Sequence, residues 1–585
     1  TVLDADGAQI GTGVVTRILG TRSKQDCTIL GLKVAREIAM KVRTVPPPVQ
    51  ALPESDVTDA AQPVDELICR CEEVSRRSLE NCIAAGYTSI NDLKRLLRTG
   101  MGPCRGSGCR SVLEGRLAQV ESVDKAALVA AKSARKTVSR PPVKRVTIGE
   151  AARMSFSQAD LQELDELNRR NTVLLPELDK LAWTDIGISR RMKKKAVIIG
   201  GGISGVLTAW HLARMGWTDI AVVEKEFLAA GKTGACLGGL RTGFASANKV
   251  ARARMGLEIM RDAEKLLGDS IGWFQGGYVY LAYDDGQADS FRKAAAVWDE
   301  GRVPYRYLTT ESDLAHYVPG IDASKVKLGV FFEEAGGANP FLATYRFADD
   351  ARKMGAEFIV GREVADIRVQ DNRVRGVVLN DGTLIECEHV VNCAGAFAFR
   401  VSGMIGLDLT DRFWIERHGS MITEKLPFWM DALVVSYHPT LSGYWQQKRM
   451  EKDAIEGEIV ACYSPDRPWH GYNTKSHVEF MSRMARSMLE VQPGLAEVGL
   501  VRHAAHHYVG RVSGIPLIGP CGEFDGRRLP GPTGFWHNIA KKGHGFMCAP
   551  GDGYALAWSM VNGELHPWIS ECTLEEDPST IETMK

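Results

Sequence analysis

A chain of 585 residues exceeds what one hydrophobic core can organise and points to roughly two to four domains. Its 72 basic and 72 acidic residues cancel, which argues against a face built for nucleic acid or an anionic membrane. No stretch has the apolar length that spans a bilayer and the first residues lack a signal-peptide core, so the expectation is a cytoplasmic protein without a transmembrane segment.

Residues 1–45 form an N-terminal segment of mixed character, in which Gly11–Val15 reads as a loop with a short strand and Leu32–Val42 has helical periodicity. Residues 46–64, rich in proline and small polar side chains, read as an extended linker. The 13 cysteines of so large a chain read as metal ligands and reduced core thiols. Cys69 and Cys71 form C-x-C, Cys104 and Cys109 form C-x4-C, and 32 residues separate the pairs. Two helical stretches, Ser75–Ala85 and Ser89–Thr99, fill that spacer and stop at Gly86 and Gly100. The glycine-rich loop Gly100–Cys109 can wrap an inorganic centre and aim N–H groups at its sulfurs. Four thiolates suit tetrahedral zinc or a [2Fe–2S] cluster, although zinc knuckles more often use C-x2-C. Residues 121–192 read as a helical connector: Ala126–Lys136 is rich in alanine and lysine, Pro141-Pro142 breaks it, and Leu161–Leu181 has helical apolar spacing.

The next stretch carries the clearest motif. An apolar strand, Ala196–Ile199, runs into Gly200, Gly202 and Gly205 in G-x-G-x-x-G spacing, with Ile203 and Ser204 between them. The first glycine permits the tight turn, the second lets the backbone approach a pyrophosphate, and the third lets the helix pack on the strand. That helix is expected to run to about Met215 and stop at Gly216, and a second strand, Ile220–Val223, leads to Glu224, placed to hold a ribose hydroxyl. The cradle alone does not choose between NAD and FAD.

Two family resemblances follow from these and later stretches. Leu67–Val112, with C-R-C-E-E, the helix start Thr88–Lys94 and G-M-G-P-C, resembles the bacterioferritin-associated-ferredoxin type of [2Fe–2S] domain, here spanning 65–120. The C-x4-C second pair is similar to the version attached to flavin dehydrogenases for opines, proline and glycerol 3-phosphate. The resemblance implies Cys69, Cys71, Cys104 and Cys109 as cluster ligands, with Cys82 left to the core. Residues 193–575 resemble the FAD-dependent amine and amino-acid oxidoreductases that include D-amino-acid oxidase, glycine oxidase and sarcosine oxidase. Four stretches carry this in family order: Gly231–Phe244 after the opening motif, Gly336–Ala351, Val390–Ala398 and Lys542–Pro550 with its G-H-G-F-M. The implied fold is α/β, a Rossmann-like FAD-binding domain (about 193–275, 333–400 and 509–575) interleaved with a β-rich substrate domain (about 276–332 and 401–508), plus the small helical [2Fe–2S] domain. A hairpin at Val377–Glu386 turning on Asp381-Gly382, and β-rich runs at Met421–Thr423 and Glu458–Cys462, fit that layout. Implied cofactor contacts, beyond the glycine motif with Glu224 and Lys225, are Thr233, Gly238, Gly239, Leu240 and Arg241 in the first loop. Val364, Ala394 and Gly395, then Gly543, Gly545, Phe546 and Met547, complete them. Ala338, Asn339 and Pro340 stand where heterotetrameric sarcosine oxidases carry a histidine bearing FMN, so no covalent FMN is expected.

Oxidising an amine at a flavin asks the protein for position, an anion-binding group and exclusion of water. Arg511 is the candidate carboxylate partner, weighed against a structural arginine, and Arg241 stands equally between cofactor or substrate contact and outside packing. His544 and His418 are candidate positioning groups at the ring. His503, His506 and His507 read as strand residues rather than a metal site, and Lys541-Lys542 as a solvated pair. A flavin and a one-electron cluster on one chain imply a dehydrogenase acting on an amino acid or secondary amine, of N-alkyl amino-acid, proline or opine type, with companion subunits and an acceptor other than dioxygen. The alternatives are an oxidase with a structural cluster, a non-catalytic electron-relay subunit and an alcohol dehydrogenase of glycerol-3-phosphate type.

Overall fold

The computed structural model describes residues 67–69, 74–84, 87, 90–100, 109–117, 146–171, 186–448, 456–463, 471–472, 478–511 and 513–574, with a strand pair at Val2–Leu3 and Gln9–Ile10 before them. The linker 46–64, the helix expected at Leu32–Val42, Cys71, Cys104 and the Ala/Lys-rich part of the connector lie outside the described residues. The chain divides into two compact units, residues 1–144 and 145–585.

In the first unit, strands Leu67–Cys69 and Val74–Ser75 pair antiparallel, and helices Arg76–Ala84, Ile90–Leu96 and Arg110–Leu117 follow. Leu79, Leu93, Leu113 and Leu117 close a core with Ile68 and Val74. Cys69 and Cys109 are buried in that same core, and Cys82 packs at its edge. Arg116 ties the last helix to the first through a two-pronged bond to Glu80, at 2.7 and 2.6 Å.

In the second unit, β1 (Ala196–Ile199), β2 (Ile220–Glu224), β3 (Glu357–Val360), β4 (His389–Asn392), β9 (Leu517–Pro520) and β10 (Phe535–Ile539) form one sheet in the order β3–β2–β1–β4–β10–β9. All pairs are parallel except β10 with β9. Strands β1 and β2 are buried at every position, as continuous apolar runs covered on both faces must be. Helix α1 (Ile203–Arg214) packs against α3 (Pro340–Lys353) and α5 (Gly545–Asn562), and α2 (Ala247–Arg261) crosses α5. Helix α1 ends one residue before the expected Met215, and Gly216 adopts φ +91° beyond it. Asn339 caps α3 by accepting from the N–H groups of Phe341 and Leu342, with Pro340 at the first helical position. A four-stranded layer contains the expected hairpin, Arg373–Leu379 with Thr383–Glu386, whose Gly382 takes φ +83°.

A nine-stranded sheet makes the other layer. Its centre is β6 (Gly443–Gln447), β7 (Glu456–Tyr463), β5 (Trp414–Pro427) and β8 (Gly499–Gly510), all antiparallel. Alternation sorts its side chains. Trp445, Ala461 and Met421 pack under α4 (Val478–Val491) with Phe480, Met484 and Met488, so that Tyr444, Cys462 and His418 point to the opposite face. One edge departs from the sequence expectation. Val146–Thr147, within the expected connector, pairs with β8, and Thr147 forms a capping box with Glu150 to start the short helix Ile148–Ala152. A two-residue strand carries no periodicity to announce it.

Candidate cofactor and substrate site

Gly200 leaves β1 at φ +114°, and a Cβ at Gly205 would stand 2.0 Å from the Gly200 carbonyl oxygen, so α1 starts this close to the strand only because both are glycine. Gly202, the N-cap of α1, has no side chain to offer the first turn, and Thr233 Oγ1 accepts the Ile203 N–H at 3.1 Å. The N–H groups of a helix start that its own N-cap side chain does not take up bind anions together with the helix dipole. Glu224, at the end of β2, accepts from the N–H groups of Gly201 and Glu226, each at 2.8 Å. Burial raises its carboxyl above the ordinary value, against the smaller downward pull of those two hydrogen bonds.

These groups border a cavity of about 560 Å³. Gly200, Gly202, Ile203, Ser204, Glu224 and Lys225 line it from the glycine turn. Thr233, Val364, Ala394 and Gly395 line it from the following loops, and Gly543, Gly545 and Phe546 from the start of α5. Those sequence-singled residues therefore converge on one space. Gly205 does not line it, because its part is the close approach to Gly200. Gly239 and Leu240 form a strand pair with Gly336–Gly337, and the Tyr278 hydroxyl occupies the place a Gly239 Cβ would need, 1.7 Å away. Gly238 turns at φ +73° just before, and Met547 is buried in α5.

The candidate positioning residues fare differently. Arg511 is 2 % exposed, and its guanidinium donates to the carbonyls of Ile515, Pro516 and Thr573 at 2.8 to 3.2 Å. Its donors close a turn, it does not line the cavity, and the structural reading of this arginine replaces the carboxylate-partner one. His544 caps α5 with Nε2 3.2 Å from Arg241 Nη2 and Nδ1 3.1 Å from Lys249 Nζ. Arg241 is itself buried between the rings of Phe244 and Tyr280. His418, on β5, is stacked on Tyr508 with centroids 4.0 Å apart and lies 3.0 Å from the Tyr444 hydroxyl. Burial, with Lys232 nearby, holds its imidazole well below the ordinary value and hence neutral. His506 and His507, on β8, border the cavity.

Three features escaped sequence reading. Lys541 is not a solvated lysine: it borders the cavity and pairs with the fully buried Asp552 at 2.5 Å while reaching Asn538. Asp552 in turn faces Arg252 Nε at 3.1 Å, a charge contact without hydrogen-bond alignment. Tyr508 and Lys232 also border the cavity. Lys232 is the one charged residue in Gly231–Gly239, a signal that could have marked it.

A parallel sheet with an open glycine turn, a carboxylate on the second strand and a second sheet bearing aromatic side chains across the cavity define a two-layer dinucleotide-dependent oxidoreductase. Residues 195–558, more than half of the chain, match the model of the FAD dependent oxidoreductase family, and residues 67–119 match that of the BFD-like [2Fe-2S] binding domain. The chain belongs to the FAD-dependent oxidoreductases, and its cofactors are FAD and a [2Fe–2S] cluster. It is 28 % identical over 389 residues to the mitochondrial dimethylglycine dehydrogenase of Rattus norvegicus, a match covering 64 % of this chain and 43 % of that one. Sarcosine oxidase subunit beta of an Arthrobacter species is 24 % identical, with 69 % of this chain and 95 % of that one covered. Among solved structures, L-proline dehydrogenase from P. horikoshii superposes with a TM-score of 0.57 at 27 % identity, over 65 % of this chain and 96 % of that one. The chain spans less than half the length of the mitochondrial relatives. Both cofactors fit the residues in place: the uncapped turn of α1 suits a diphosphate, and the shared core of Cys69 and Cys109 holds two thiols away from water. Among the described residues, no helix is long and apolar enough to cross a membrane.

Proposed function

We propose that this chain is a dehydrogenase that oxidises an amino acid or secondary amine of the N-alkyl amino-acid, proline or opine type, and that electrons leave it singly through its iron–sulfur domain. The observation that carries this is the pairing, on one chain, of an FAD domain with a [2Fe-2S]-binding domain. FAD supplies a two-electron acceptor and the cluster a one-electron carrier. Support for the substrate class comes from relatives named for dimethylglycine, sarcosine and proline.

The chain's own residues do the following in this reading. The turn Gly200–Gly205 holds the diphosphate, and Glu224 accepts from a ribose hydroxyl. Lys541, fixed by Asp552, places a positive group at the far wall of the cavity. Neutral His418 and the hydroxyls of Tyr444 and Tyr508, 2.5 Å apart, form a chain of hydrogen bonds on the facing sheet that orients substrate and excludes water. Cys69, Cys71, Cys104 and Cys109 ligate the cluster. Companion subunits complete the enzyme, in keeping with the likeness to a sarcosine oxidase beta subunit, and the complex works in the cytoplasm.

The test is anaerobic mixing of the purified full chain with sarcosine, N,N-dimethylglycine and L-proline, followed by air or a one-electron dye. At least one compound bleaches the flavin, and the dye restores its colour much faster than air does. Prompt reoxidation by air with stoichiometric peroxide would instead establish an oxidase.

A further inference from the structure

The loop that follows the glycine turn carries a lysine whose surroundings ask for an anion. Lys232 begins the short 3-10 turn Lys232–Ala235, next to Thr233, and borders the cavity. Its ammonium lies 4.3 Å from the centre of the Tyr508 ring, on the face of the nine-stranded sheet that also presents His418 and Tyr444. Among the described residues no carboxylate pairs with it; burial lowers its amine below the ordinary value, and the thiols of Cys462 and Cys236 are the groups that oppose that. Burial pushes both thiols up, Cys462 to about 11, so neither is an anion near neutral pH. The lysine is half-buried and lines the cavity.

A charged amine among phenols, thiols and a neutral imidazole is costly unless something that binds brings the opposite charge. The phenols add direction. Tyr508 and Tyr444 share a 2.5 Å hydrogen bond and Tyr444 also meets His418, so the three side chains hold one another in register. A Cβ at Gly543 would lie 3.2 Å from the Tyr508 hydroxyl, which places that oxygen against the loop entering α5, beside Lys232's own loop.

We propose that Lys232, with the Tyr508 hydroxyl beside it, is the carboxylate anchor of the substrate site, and that the substrate is therefore an amino acid and not a simple amine. The inference rests on the amine-oxidising reading above and narrows it. It assigns to the flavin loop the anion-binding role that Arg511 does not fill.

The experiment compares wild type, K232M, K232Q, K232R and Y508F in the full chain, counting only flavin-loaded protein. Each is titrated with methoxyacetate, read by the shift of the flavin visible bands, and with two pairs that differ by a carboxylate: sarcosine against dimethylamine, and L-proline against pyrrolidine. Loss of a charged hydrogen-bond donor predicts roughly 10- to 100-fold weaker methoxyacetate binding and amino-acid bleaching in K232M and K232Q, with little change for the amines. K232R, which keeps the charge, stays within about tenfold of wild type, and Y508F weakens the carboxylate compounds by less than K232M does. Carboxylate affinity in K232M and K232Q equal to wild type overturns the assignment, and so does a change confined to flavin content or flavin potential, which would make the lysine a cofactor group. Wild type that neither bleaches nor shifts with any of these compounds overturns the amine-oxidising reading itself, and the anchor with it.

Discussion

Single residues set the electrostatics of this site, and two of them give measurable consequences. Asp552 is fully buried between Lys541 and Arg252, so two cations share its carboxylate at the junction of α5 and the cavity, with Glu571 3.9 Å from Arg252 as a second anion. Removing one member of such a buried set leaves uncompensated charge, which costs about 3–5 kcal/mol. Asp552→Asn is expected to lower the denaturation midpoint accordingly and to reduce the flavin absorbance of the purified protein, because Lys541 loses its fixed position. Lys448 tests the opposite sign. It is buried with Gln446 Oε1 at 3.1 Å as acceptor, and burial brings its amine from the usual 10.5 down to about 8. A depressed folded value means its contribution is present above pH 10.5, falls away as pH drops through 8, and leaves a burial cost of about 3 kcal/mol at neutral pH. Part of that returns in Lys448→Met, since Gln446 then loses its partner at about 1–2 kcal/mol. The variant should be about 1–2 kcal/mol more stable than wild type at pH 7 in denaturant titrations. Its advantage should shrink between pH 8 and 10.5, and a constant difference would contradict the assignment.

Between elements, glycine decides how closely helices approach. Helices α2 and α5 cross where a Cβ at Gly256 would meet the Met547 carbonyl oxygen at 2.0 Å and one at Gly551 would meet that of Arg252 at 2.2 Å. Both obstacles are backbone, so neither can swing aside. Gly551→Ala is expected to cost about 1–3 kcal/mol by overpacking, and to loosen Arg252 from Asp552 by forcing the helices apart. The check is a thermal melt alongside flavin content, with Gly268→Ala, which meets nothing within 4 Å but keeps φ +73°, separating crowding from backbone strain. The same contrast explains what was legible beforehand. The turn Gly200–Gly205, the stop at Gly216 and Glu224 are short-range patterns, each complete within one turn or one strand, so spacing alone located them. His418 and Tyr508 meet only because β5 and β8 pair in one register, His418 opposite His506, across strands distant in the chain. No local period encodes that pairing. Arg511 misled for the same reason: nothing in HHYVGRVSGIP shows that its guanidinium is taken up by the carbonyls of Ile515 and Pro516.

At the scale of the whole chain, two units carry two chemistries, and each should survive the loss of the other's cofactor if the division of labour is right. The first unit has its own core, built from Ile68, Val74, Leu79, Leu93, Leu113 and Leu117 around Cys69 and Cys109, and the second contains every group that borders the cavity. Cys69→Ser keeps the size of the side chain but replaces the thiolate proposed as a cluster ligand with a hydroxyl that binds iron weakly. The small unit, whose core is short, then loses the cluster and the stability that ligation supplies. The expected result is loss of the cluster's visible and paramagnetic signals with flavin content unchanged. Anaerobic bleaching by substrate should proceed at the wild-type rate, since the residues that line the cavity all belong to 145–585, while turnover with a one-electron dye falls at least about tenfold. A variant that keeps full dye turnover would mean that the flavin passes electrons on directly and that the cluster is structural. One that loses bleaching as well would mean that the iron–sulfur unit is needed to build the substrate site.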